Sequence, residues 1–171
     1  MQIGVSSYSY SKLVRCGKIT ELDGIRITAD LGFDVIEFST LNLPQDQILK
    51  EFAPIIKKSC QQVNLPIANY TIGADFINGS NGDTKREVER VKDEVRIAHL
   101  LGAPGIRHDA TRGFESDYKG KRSFDAALEI LVPAIRELTD FAAKLGIKTM
   151  LENHGFFCQD SERIEQLINA V

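Results

Sequence analysis

Four segments of the chain repeat one pattern. An amphipathic stretch ends, a Gly or Asn follows, and a short apolar run begins. The joints read ADLGFDVIEFS (29–39), QQVNLPIANY (61–70), HLLGAPGIRH (99–108) and AKLGIKTMLE (143–152). The Gly or Asn predicts a helix C-cap in the left-handed conformation. The run after it has the length and content of a strand. With QIGVSS at the N-terminus this predicts five strands. Helical periodicity fills the gaps. Leu22, Ile25, Ala29 and Leu31 mark a first helix, and Ile48, Phe52, Ile55, Ile56 and Val63 a second. Val88, Val91, Val95, Ala98 and Leu101 mark a third. Leu128, Leu131, Ile135, Leu138, Ala142 and Leu145 mark a fourth, with a kink expected at Pro133. Ser161 is expected to cap a fifth helix that carries Ile164, Leu167 and Ile168 on one face.

A strand–helix unit repeating about every 30 to 45 residues implies a parallel sheet with helices outside it. An open doubly wound sheet normally places GxGxxG after its first strand. Here that loop reads SYSYSKLVRCGKIT, long and aromatic. The alternative is a (β/α)₈ TIM barrel, of which the sequence supplies about five units. The expected fold class is therefore α/β, an incomplete barrel in one domain over residues 1–171, stopping before a sixth strand.

Composition narrows the classes. The chain has 171 residues, 43% hydrophobic and 26% charged, enough for a core. A formal net charge of −3 argues against a nucleic-acid partner. No apolar run approaches a membrane span, and no basic segment precedes an apolar stretch at the N-terminus. Cys16, Cys60 and Cys158 are odd in number and widely spaced, which suits a reducing cytoplasm and fits neither a disulfide framework nor a zinc ribbon.

In such folds chemistry gathers at the C-terminal ends of strands. Those ends offer Tyr8 and Tyr10, Glu37, Asn69 and Tyr70, His108 and Asp109, and the triplet Glu152-Asn153-His154. Strand alternation puts Met150, Glu152 and His154 on one face and Leu151 and Asn153 on the other. Glu152 with His154 can bind a divalent metal or move a proton; a structural ion pair with an Arg or Lys is the alternative. Glu37 can orient a sugar hydroxyl or a histidine, or form a buried ion pair with Arg107. His108 can serve as a ligand or hydrogen-bond donor, or be a satisfied buried histidine. Tyr8 and Tyr10 can stack on a sugar ring or pack in a loop. His99 and Cys158 are read as bystanders. The long loops 73–83 and 109–122 are lid candidates.

Taken together, IGVSSYSYS, LGFDVIEFS, the repeated LG joints and LENHG resemble the sugar phosphate isomerase/epimerase family, in the xylose-isomerase-like TIM-barrel superfamily. The resemblance covers the whole chain. It implies a metal-dependent isomerase or epimerase that moves a proton alpha to a sugar carbonyl through an enediolate. Glu152 would be both metal ligand and catalytic acid/base, and His154 would line the sugar pocket; the strand ends add His108, Glu37 and Tyr8 as candidate substrate contacts. The metal would be Mn²⁺, Mg²⁺, Co²⁺ or Zn²⁺, with its remaining ligands expected beyond Val171. A keto-sugar dehydratase or lyase, an AP endonuclease of the endonuclease IV type, and a non-catalytic barrel fragment are the alternatives. The expected partner is a small sugar, with no nucleic acid and no membrane. A five-unit piece also leaves apolar faces that another fragment, or a second copy in a homo-oligomer, would cover.

Overall fold

A computed structural model describes residues 1–41, 43 and 48–171. Five strands are present: β1 (Gly4–Ser6), β2 (Val35–Ser39), β3 (Ile67–Ile72), β4 (Gly105–His108) and β5 (Lys148–Leu151). They form one sheet in chain order, β1-β2-β3-β4-β5. Among the described residues the helices are α1 (Ser11–Arg15), α2 (Glu21–Asp30), α3 (Leu49–Gln62), α4 (Gly79–Gly82), α5 (Thr84–Leu101), α6 (Phe124–Lys144) and α7 (Ser161–Ala170). Parallel strands in chain order with helical crossovers make this an α/β fold, the arrangement of an incomplete TIM barrel.

The chain divides into two compact units. The first comprises Met1–Ile72 and Arg96–Ile106. Here β1 pairs with β2 (Ser6 opposite Glu37) and β2 with β3 (Glu37 opposite Asn69), both in parallel. Ile36, Phe38 and Tyr70 are buried from the sheet, and Ile25, Ala53, Ile56 and Cys60 from the helices. Thr20 caps α2 in a reciprocal box. Its hydroxyl accepts from the Asp23 amide at 3.1 Å, and its own amide donates to the Asp23 carboxylate at 2.8 Å. Hydrogen bonds from Thr20 and Arg26 bring the Asp23 carboxyl down to about 2.

The second unit comprises Gly73–Val95 and Arg107–Val171. Val88, Val91 and Val95 of α5 are buried, as are Leu131, Ile135, Leu138 and Ala142 of α6 and Leu167 of α7. The α6 helix is continuous through Pro133.

Several sequence expectations shift by a residue or a face. Leu31 is 66% exposed, because α2 ends at Asp30 and Gly32 turns the chain at φ +80°. Ile48 and Ile55 are exposed. The buried stripe of α3 is Ala53, Ile56 and Cys60, and Ile55 lies about 100° around the helix from Ile56. The α7 cap is Asp160, not Ser161; its carboxylate accepts from the Arg163 amide at 2.9 Å. Ile168 is exposed, leaving Leu167 as the buried anchor of that helix.

Candidate metal centre

The ladder between β4 and β5 continues one residue past the end of β5. The Glu152 amide donates to the His108 carbonyl at 2.9 Å. This fixes where the side chains beyond β5 emerge. On the β4 side, alternation puts Arg107 and Asp109 on one face and Ile106 and His108 on the other. Arg107 reaches Glu152, its Nη1 donating to Oε1 at 2.9 Å. His154 Nδ1 lies 3.1 Å from Asp109 Oδ1. One donor atom each from Asp109, Glu152 and His154 lies within 4.8 Å of the others. Asp109 and Glu152 are half-buried and His154 is exposed.

Two carboxylate oxygens and an imidazole nitrogen suit a borderline-to-hard divalent cation, and three protein ligands with an open position is the pattern of a catalytic metal centre. The donor set therefore fits the group that the resemblance implies. Asp109 was not among the ligands expected from the sequence. Its signal was the same two-residue spacing that singled out Glu152 and His154: Arg107-His108-Asp109 presents its first and third residues together.

His108, expected near substrate, is 1% exposed. Its ring stands edge-on to Phe76 at 5.8 Å, and Nδ1 pairs with the Asp109 carbonyl at 2.9 Å. Burial holds its pKa below the ordinary histidine range, so the ring is neutral and Nδ1–H is the donor to that carbonyl. This geometry makes His108 a support for the backbone that carries Asp109.

The loop 73–83, a lid candidate from its length, is bolted down. Asp75 accepts from the amides of Ile77 and Asn78, from the Asn78 side chain and from the Thr111 hydroxyl, at 2.7–3.1 Å. Glu87, buried on α5, accepts from the Asp75 amide, from Ser80 and twice from Arg90. Burial pushes both carboxyls up, but these bonds outweigh it and hold them below the usual carboxylate range. Ser80 and Asn81 adopt left-handed φ of 53° and 62°, so α4 is a single left-handed turn. Asp75, Asn78, Arg90, Asp109, Arg112 and Glu115 line an open polar cavity of about 340 Å³.

The remaining expected residues belong to the first unit. Asn69 Nδ2 approaches Glu37 Oε2 at 3.5 Å and Thr71 Oγ1 at 3.2 Å. Asn69 Oδ1 is buried without a hydrogen-bond partner, the one such side-chain atom among the described residues. Tyr8 is 70% exposed and lines a 230 Å³ cavity with Ser11, Arg15, Ser39 and Thr40. Tyr10 is held by a 3.1 Å bond to the Thr28 hydroxyl. Cys158 is buried, which pushes its thiol up to about 11 and removes it as a nucleophile.

Residues 25–171 match the xylose isomerase-like TIM barrel family, and the chain belongs to it. No curated protein matches. Solved structures do. L-ribulose 3-epimerase aligns over 99% of this chain and 57% of its own, at 20% identity and TM-score 0.74. The probable 3-DHS dehydratase AsbF of Bacillus anthracis, involved in petrobactin synthesis, aligns over 100% and 59%, at 18% identity and TM-score 0.74. The IOLI protein with a bound zinc atom aligns over the same shares, at 16% identity and TM-score 0.74. At these identities the likeness is one of fold. The chain spans less than three-fifths of each of these structures' length.

Proposed function

We propose that this chain carries part of the active site of a sugar isomerase or epimerase that moves a proton alpha to a carbonyl. The observation that supports this reading is the convergence of Asp109, Glu152 and His154 just beyond β4 and β5. A divalent cation held by these three residues (Mn²⁺, Mg²⁺, Co²⁺ or Zn²⁺) would polarise a carbonyl oxygen and ease loss of the neighbouring proton. Glu152 serves as one of two acid/base carboxylates: it takes or gives the proton on one face of that carbon, and in an epimerase the second carboxylate acts on the opposite face. Arg107 donates to Oε1, which orients the carboxylate. His154, with its side chain 66% exposed, offers its ring to a sugar hydroxyl. Glu37 and Tyr8 are proposed as further sugar contacts, and His108 as the residue that steadies Asp109. The functions of these neighbours, an epimerase of L-ribulose and a probable dehydratase, are consistent with alpha-proton chemistry. The dehydratase neighbour supports a second reading, in which the same proton removal is followed by loss of a hydroxyl group. We read the chain as five βα units of a single barrel domain.

The test is Glu152→Gln, assayed with Mn²⁺ on D-fructose and L-ribulose in deuterated water. Wild type should place deuterium on the carbon alpha to the carbonyl. The variant should lose about 10²- to 10⁴-fold in turnover and bind Mn²⁺ more weakly, with an unchanged circular dichroism spectrum. Near-normal turnover in the variant would sink the assignment of Glu152.

A further inference from the structure

Phe156 is 96% exposed, the most exposed aromatic ring among the described residues. It stands two residues beyond His154, on a short arch with both feet fixed. At one foot His154 is tied to Asp109 at 3.1 Å. At the other, Phe157 stands edge-on to Phe114 (6.2 Å) and tilted to Phe124 (5.8 Å), under the Arg163 guanidinium (5.4 Å). The Phe157 carbonyl also accepts from Arg163 Nη1 at 2.8 Å. Gly113 runs so close beneath Phe157 that a Cβ there would meet its ring at 2.7 Å. Between the feet, Gly155 takes φ +72°, a bend that side chains disfavour. The arch is thus built, and it presents one large apolar ring to water.

Distance limits what that ring can serve. Consecutive Cα atoms are about 3.8 Å apart, so Phe156 lies within about 7.6 Å of the His154 backbone. From that backbone position a phenyl ring that turns toward the Asp109–Glu152–His154 cluster can reach a ligand held there. A sugar is polar at its hydroxyls and apolar over its C–H faces, and flat aromatic rings in ligand sites cover such faces.

We propose that Phe156 is a substrate-contacting residue, the platform on which a ketose held at the Asp109–Glu152–His154 cluster lays its C–H face. This rests on the sugar reading above. It adds a specificity element: the site takes the apolar C–H face of the ketose, and the ring shields the reacting carbon from water.

The chain contains no tryptophan, so Phe156→Trp installs the one indole of this sequence, which red-edge excitation selects over the four tyrosines. Mg²⁺, which does not quench indole, serves as the metal, and D-fructose and L-ribulose serve as ketoses. With Mg²⁺ alone, emission should be that of a water-exposed indole. Saturating ketose should shift it to the blue and reduce acrylamide quenching at least ~2-fold. In parallel, calorimetry on Phe156→Ala should show ketose affinity reduced about 5-fold or more, with Mg²⁺ affinity unchanged. Blue emission before any ketose is added would mean the ring packs on protein, and would overturn the proposal. Unchanged emission while calorimetry registers ketose would overturn it and leave the sugar reading standing. Failure of wild type to bind either ketose in calorimetry would overturn both.

Discussion

Asp109 is the residue on which the metal reading is most exposed to test. It is not a residue that apolar patterning can find, because it lies one position past a four-residue strand and next to a histidine that draws more attention. Only the spatial answer, a 3.1 Å contact with His154 across 45 residues of sequence, shows it as part of the cluster. Asp109→Asn keeps the size of the side chain and removes its charge. Mn²⁺ affinity should fall about 10-fold or more, read by calorimetry, while thermal stability changes little, since Asp109 is half-buried and its backbone is still held by His108. An equal loss of affinity and of melting temperature would instead make Asp109 a structural residue. The neighbouring positions show the limit of one-dimensional reading. Glu152 was visible as a carboxylate at a strand end. His108 and Asp109 differ by one position and by a face, and burial, which assigns them their different tasks, is a property of what packs against them.

At the scale of elements, the left-handed turn of α4 and the two carboxylates beneath it form one mechanical part. Unfolded carboxyls titrate near pH 4, and both Asp75 and Glu87 titrate lower when folded. Their stabilisation is therefore complete above the unfolded value and is lost as pH falls through the folded values. The melting temperature of wild type should drop steeply below about pH 4, and Asp75→Asn should flatten that slope while costing about 2 kcal/mol at pH 7. Gly79 belongs to the same part. A Cβ there would come within 2.7 Å of the Glu87 carboxylate, so Gly79→Ala should destabilise by about 1–3 kcal/mol in urea denaturation. The strands and helices themselves were largely readable from the spacing of Val88, Val91, Val95 and their counterparts, because each faces a core in a single period. Ile55 and Ile168 were not. They are apolar residues at the margin of a helical stripe, and their composition does not say which side of the margin meets protein. Nor was the rigidity of the 73–83 loop readable. Gly, Asn and Ser suggest freedom, and the bonds that remove it run partly within the loop, from Ile77 and Asn78 to Asp75, and partly to Glu87 and Thr111 outside it.

For the whole molecule, charge and hydropathy argue in one direction. The chain carries 24 acidic against 21 basic residues, and no described helix is long and apolar enough to cross a membrane. A duplex with an abasic site should neither be retained at moderate salt nor be nicked in the presence of Zn²⁺ or Mg²⁺. Nicking that disappears in Glu152→Gln would move the protein from sugars to DNA. The family match from residue 25 onward fixes the barrel lineage, while the neighbours at 20% identity or less leave the chemistry to the residues. Among those residues Asn69 has a consequence for how the protein would evolve in the laboratory. Its buried, unanswered Oδ1 is a standing cost to folding that an apolar side chain would remove. A population selected for heat tolerance alone should exchange Asn69 early for valine or isoleucine. A population required also to turn over substrate should keep it if Glu37, which the Asn69 amide approaches at 3.5 Å, contacts the sugar as proposed, so the two histories would part at a single codon.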